Sequence, residues 1–319
     1  ASTTLGPLIR VPEEKLHRAL NFLDEGESWL LKPEPIDESQ LLWRPGIRIG
    51  VRPGSWSHQQ EWFGPVLGII EAPDFETALK WQNQNDFGLT AGLQTLDEVE
   101  CEKWIENVEA GNIYINRGIT GAIVNRQPFG GWKSSAVGPQ AKAGGRNYLN
   151  VLRRWPQVTE AQSCKYGIDR WFSEIGSQSI DYSKLASERN CHRYRKNIKP
   201  ILVVVDQNTS SLEKEVIHHI INRFGIAVEI TNVETFFTNK ISSISSYSRV
   251  RWLASLQAPT DELLARGISV DFRPIAQRGD IEGPRWLLEQ SVTITFHRYG
   301  NTNAGPKPEV PGLISLTRD

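Results

Sequence analysis

Apolar residues along the first half of the chain alternate between helical spacing and short unbroken runs, which predicts helices alternating with strands. Leu16, Ala19, Leu20 and Leu23 form one helical stripe, and Gly26 ends it. The run "FGPVLGII" (63–70) reads as a buried strand. In "DFETALKWQNQN" (74–85) the pattern predicts a helix opened by Asp74, with Ala78 and Trp81 facing inward. A short strand follows at "FGLTAGLQT", then a helix at "LDEVECEKWIENVEAG" stopped by Gly111, then a strand at "NIYINR". Cys101, Trp104, Ile105 and Val108 share one face of that helix. The next segment, 118–145, is long and glycine-bearing. Loops of that length inside a domain usually carry function.

Residues 156–195 are polar and lack a sustained period, so they read as a linker or surface strap that contains the basic run "RNCHRYRK". The pattern restarts at "ILVVVD", an unbroken apolar run typical of a parallel strand buried on both faces. A helix follows, with Leu212, Val216, Ile217, Ile220, Ile221 and Phe224 inward. Strands at "IAVEI", "VRWLAS" and "ISVDFRPI" and helices at "TDELLARG" and "PRWLLEQ" complete a second α/β unit. The division expected is therefore 1–155, a linker at 156–195, an α/β domain at 196–300 and a flexible tail at 301–319.

Composition narrows the function classes. A formal charge of −1 over 319 residues gives no global attraction to nucleic acid or acidic lipid. No stretch reaches the roughly 20 apolar residues of a membrane span, and no signal peptide is evident. Three scattered cysteines argue against a disulfide framework and for a reducing, cytoplasmic setting. Methionine is absent, even at position 1, so the chain is not expected to begin at a natural start.

Most candidate chemistry weighs out as ordinary structure. Cys164 and Cys191 lack an evident activating base, and His218 and His219 fall on the polar face of their helix, so no metal site is expected. The turn "QNTSS" after "ILVVVD" has no glycine, which argues against dinucleotide binding there. Arg189–Lys196 reads as a solvated linker rather than a nucleic-acid surface. Two stretches stand out. Glu61 precedes Phe63-Gly64-Pro65, and its carboxylate could accept both hydroxyls of a ribose beside Phe63; an edge-strand acid with a packed aromatic is the alternative. In Gly118–Gly131, Gly121 and Ala122 could turn bare amides toward a carboxylate, with Phe129 against an aliphatic stem; an ordinary long loop is the alternative.

Taken in order, "GPLI", "EWFGPVLGII", "NQNDFGLTAGL", "AGNIYINR" and "RQPFGG" resemble the aldehyde dehydrogenase superfamily. More narrowly, "LWRPGIRIGVRPGSWSH" and "TGAIVNRQPFGGWKSSAVGPQAKAGGRNYL" are similar to the glutamate-γ-semialdehyde (Δ1-pyrroline-5-carboxylate) dehydrogenase module of bifunctional enzymes of the proline utilization A type. The remainder resembles the extra C-terminal domain of longer members, a Rossmann-like α/β unit without cofactor. The fold class implied is α/β: the C-terminal part of a catalytic domain followed by a smaller Rossmann-like domain.

The resemblance implies that Glu61 and Phe63 contact the cofactor NAD, and that Gly121, Ala122 and Phe129 contact the substrate glutamate γ-semialdehyde. It further implies homo-oligomers and, upstream, a proline dehydrogenase domain with FAD. The family's nucleophilic cysteine, general base and dinucleotide domain all precede "GPLI". The chain is therefore expected to be a C-terminal fragment, inactive alone, with no catalytic residue of its own. A non-catalytic lid or oligomerisation module is the alternative reading.

Overall fold

The computed structural model describes residues 6–136, 141–297 and 305–313. The chain divides into two compact units, Ala1–Asp86 and Phe87–Asp319. In the first, helix α1 (Glu14–Asn21) buries Ala19 and Leu20, two members of the expected stripe. Strands β1 (Ser28–Leu31), β2 (Gly46–Ile49) and β3 (Val66–Gly68) form a sheet in that order, with β1 antiparallel and β3 parallel to β2. The strand at 63–70 is thus shorter and less buried than its apolar spelling predicts, and Leu67 is 57% exposed. Helix α2 (Phe75–Asn83) starts where expected, because the Asp74 carboxylate accepts the Thr77 N–H at 2.7 Å. Leu79 is its buried residue; Ala78 is exposed and Trp81 half-buried, so the inward face is rotated from the one expected.

The second unit holds two larger sheets. In the first, strands β4 (Thr90–Leu93) and β5 (Asn112–Ile115) flank helix α3 (Glu98–Asn107) in sequence. Cys101, Trp104, Ile105 and Val108 are all buried, as their spacing predicts. Helix α4 (Ala161–Trp171) and strands β6 (Ser179–Asp181) and β7 (Glu188–Arg195) occupy the stretch expected to be a linker. That expectation is overturned. Cys191 to Arg195 are buried, and β7 is the second strand of a five-stranded sheet.

The other sheet is wholly parallel among its described pairs. Strand β8 (Ile201–Val205) is followed by helix α5 (Ser211–Phe224), β9 (Val228–Asn232), β10 (Arg249–Trp252), helix α6 (Thr260–Ala265) and β11 (Val270–Asp271), in the order β9-β8-β10-β11. Ile201 and Val203 pack into a core with α4 and α5, while Leu202 and Val204 pack into another with Phe236, Trp252 and Leu263. Burial on both faces explains the unbroken apolar run. A capping box of Ser210 and Glu213 opens α5, and Gly225 (φ +58°) closes it.

The last strand, β12 (Leu288–Thr295), leaves this sheet. It inserts between β7 and β5, antiparallel to the first and parallel to the second, giving the order β6-β7-β12-β5-β4. The helix expected at "PRWLLEQ" shrinks to one 3₁₀ turn, Gly283–Trp286, before the β-branched run Val292–Thr295 takes the extended form. Residues 196–300 are therefore not one self-contained domain. The expected flexible tail is also corrected where it is described. Arg189 and Arg193 donate to the carbonyls of Pro308 (2.7 Å) and Pro311 (2.9 Å), which fasten that segment; positions 301–304 and 314–319 lie outside the described residues. Among the described residues no helix is long and apolar enough to cross a membrane.

Candidate functional site

Glu61 and Phe63 lie in the first unit, and Gly121, Ala122 and Phe129 in the second. Ser55 caps a single turn, Trp56–Gln59, by accepting the His58 N–H. Gln60 leaves it with an extended backbone, and burial then alternates from Glu61 to Phe63. Trp62 is 9% exposed, whereas Glu61 is exposed and Phe63 is 81% exposed. Phe63 adopts φ +51°, a left-handed backbone unusual for an aromatic residue. At Gly64 a Cβ would stand 2.2 Å from Leu16 Cδ1, so any larger residue in this turn would have to displace the Leu16 side chain of α1. Glu61 makes no hydrogen bond or ion pair among the described residues. A carboxylate without intrachain donors, on a backbone held by packing, is free to accept two hydroxyls.

The second group sits in the loop after β5. Gly121 has φ +80°, and a Cβ there would meet nothing nearer than Arg117 at 4.0 Å, so backbone angle rather than space calls for glycine. Gly121 and Ala122 are exposed, and their N–H groups find no acceptor among the described residues. Ile123 differs: its N–H is taken by Gln127 Oε1 at 3.0 Å. Phe129 is 36% exposed, and its N–H and C=O pair with Ala143 at 2.9 and 2.8 Å. Its backbone is clamped and its ring is at the surface.

Sequence reasoning missed the groups that hold this loop. Glu188, at the start of β7, accepts from Arg126 Nη2 (2.7 Å), Gln127 Nε2 (3.0 Å) and Arg117 Nη1 (3.2 Å). Gln127 Nε2 also donates to Asn190 at 2.7 Å. Beneath Phe129, Asn112 Nδ2 donates to the Pro128 carbonyl and its Oδ1 accepts the Gly130 N–H, both at 3.1 Å. Buried Lys142 donates to Asn112 Oδ1 (2.7 Å) and the Gly130 carbonyl (2.6 Å), and burial pulls its amine down to about 7. The spelling "NRQP" holds two of these groups, but their partner lies in a segment without a legible pattern.

The other candidates are absorbed into structure. Cys101, Cys164 and Cys191 are free and buried, and burial pushes the first two thiols up to about 11 and about 12. His219 Nε2 lies 3.0 Å from Asp169. After β8 the Asp206 carboxylate accepts the N–H groups of Asn208, Thr209 and Ser255, occupying the turn where a dinucleotide fold would offer bare amides. The basic run is not solvated. Arg193 and Arg195 are buried on β7 and donate to the C-terminal carbonyls of α3: Ile105 (2.6 and 3.2 Å) and Glu106 (2.5 Å). They supply the cations that the last turn of α3 lacks.

The model of the aldehyde dehydrogenase family matches residues 1–155, the stretch that carries both the exposed acid and the turn of open amides. Among curated relatives, the 1-pyrroline-5-carboxylate dehydrogenase of Bacillus subtilis is 37% identical over 162 residues, covering 50% of this chain and 31% of its own length. That of Geobacillus sp. (strain WCH70) is 36% identical over the same span and shares. Among solved structures, proline utilization A (PutA) from Corynebacterium freiburgense is 41% identical with a TM-score of 0.82, over 93% of this chain and 32% of that one. The likeness therefore extends through the C-terminal sheet. The chain spans about a third of the length of each of these relatives.

Proposed function

We propose that this chain supplies the nicotinamide-ribose and substrate-carboxylate contacts of an NAD-dependent L-glutamate-γ-semialdehyde dehydrogenase, which oxidises the semialdehyde to glutamate in proline catabolism. The observation that carries the reading is the pair of open amides at Gly121 and Ala122, on a loop tied down by three donors to Glu188. Two N–H groups on a rigid turn suit a carboxylate, because the donors need not reorganise when it arrives. Phe129 would cover the aliphatic stem. Glu61 and Phe63 fit NAD: among the described residues the acid has no competing donor, and the exposed ring could lie beside the nicotinamide ribose. NAD, when bound, accepts the hydride. This chain's residues orient the two reactants, and the reacting thiol would come from elsewhere in the full-length protein.

For the sheet that contains β8 we propose a structural role, supported by the Asp206 carboxylate on its turn amides. An upstream proline dehydrogenase domain with FAD, a homo-oligomeric full-length enzyme and a cytoplasmic setting complete the proposal. They rest on the likeness to PutA and on three unpaired cysteines.

Steady-state kinetics of the full-length protein test the reading. The semialdehyde should be preferred over an aldehyde of equal length lacking the α-carboxylate, and Gly121→Val should remove that preference. Two charge-assisted hydrogen bonds predict a preference of about 100-fold or more in kcat/KM. Equal use of both aldehydes by the unsubstituted enzyme would refute the assignment, as would turnover by this chain alone.

A further inference from the structure

Trp62, between Glu61 and Phe63, faces into the first unit and joins a run of stacked side chains. Its ring lies 6.1 Å from that of Trp56 at an interplanar angle of 16°, and Arg18 Cζ sits 4.1 Å from the Trp56 ring. Arg48 Cζ lies 4.7 Å from the Trp62 ring and 4.8 Å from that of Trp29. Arg48 is fully buried. Its Nη1 donates to Glu27 (2.8 Å) and Ser57 (3.0 Å), and its Nη2 to the carbonyls of Phe22 (3.1 Å) and Ala19. One guanidinium thus ties the end of α1, strand β2 and the turn 55–59 to the indole that separates Glu61 from Phe63.

A buried arginine is an expensive way to fill space, because an apolar side chain of similar volume commonly serves stability as well or better. What the planar cation adds is orientation: it stacks on rings and donates in fixed directions. Gly68 presses on the same indole, since a Cβ there would stand 3.2 Å from the Trp62 ring. With its ring so held, Trp62 anchors the backbone between exposed Glu61 and the left-handed residue Phe63, and so limits where Glu61 can point.

We propose that Arg48, acting through Trp62, is the positioning residue that fixes Glu61 and Phe63 for the nicotinamide ribose. The inference rests on the reading of Glu61 given above, and the test separates the two. In the full-length protein, equilibrium titration with NAD is compared with titration by ADP, which lacks the nicotinamide ribose. Glu61→Gln, Trp62→Leu and Arg48→Met should each weaken NAD binding about tenfold and leave ADP unchanged. Trp62→Phe should restore most of the loss. The double variant Glu61→Gln/Trp62→Leu should bind NAD no worse than either single variant, because both act through one contact.

Parallel loss of ADP binding, or losses that multiply in the double variant, would show a merely structural role and overturn the proposal. Unchanged NAD affinity in Trp62→Leu beside a weakened Glu61→Gln would overturn it alone. Unchanged affinity in Glu61→Gln would overturn the reading of Glu61 itself.

Discussion

Arg126 donates to Glu188 at 2.7 Å, joining the loop that carries Gly121 to the first residue of a strand 62 positions further along the chain. Arg117 and Gln127 converge on the same carboxylate, so one acid sets the shape of the turn. Glu188→Ala would leave two guanidinium groups without their carboxylate and take one of its two acceptors from the Gln127 amide. We expect a loss of roughly 1–3 kcal/mol in stability by denaturant unfolding. In the full-length enzyme, KM for the semialdehyde should rise more than kcat falls.

Arg193 reaches Ile105 O, Gln290 Oε1 and Pro311 O from inside the sheet. Arg193→Met takes one of two buried cations from the α3 carbonyls and one of the two arginine contacts from the 305–313 segment. Because those buried acceptors lose a donor, a loss of roughly 1–3 kcal/mol is expected in thermal or denaturant unfolding, with faster hydrogen exchange at the end of α3. A loss below about 0.5 kcal/mol, as at an ordinary surface site, would contradict this account.

These two contacts also show why the residue pattern failed between 156 and 195. Strand β7 reads "ERNCHRYR", with no apolar alternation, because its buried side chains are satisfied by partners rather than by apolar packing: Arg193 and Arg195 by helix carbonyls, His192 by Glu289 at 3.0 Å. No local spacing encodes a partner 90 residues away. By contrast α3, α5 and β8 were legible because an apolar face or run alone specifies them. In the same way "FGPV" marked Glu61 and glycines marked Gly121, since tight backbone approach and left-handed φ leave a spelling. Lys142 and Glu188 left none.

Lys142 gives the clearest pH dependence. Burial holds its amine near 7 in the folded chain, against the ordinary lysine value of about 10.4 when unfolded. Between those values the unfolded chain binds the extra proton, so this group's contribution to stability rises with pH from about 7 to about 10 and is at its worst below 7. Stability measured against Lys142→Met should therefore shift in favour of the unsubstituted protein across that window, by at most about 1.4 kcal/mol per pH unit. A difference independent of pH would contradict the assignment.

Buried thiols should be silent. With Cys101 raised to about 11 and Cys164 to about 12, and Cys191 raised as well, a thiol-reactive probe at pH 8 should label none of the three in the folded protein and all three in denaturant. Rapid labelling of native Cys164 would reopen it as a nucleophile.

The most direct measurement is a crystal structure of the full-length protein with NAD and glutamate bound. The account predicts the glutamate α-carboxylate within roughly 2.7–3.2 Å of the Gly121 and Ala122 nitrogens, Phe129 along its carbon chain, and the nicotinamide ribose hydroxyls on Glu61. A carboxylate held by other groups, or a ribose that leaves Glu61 facing solvent, would contradict it.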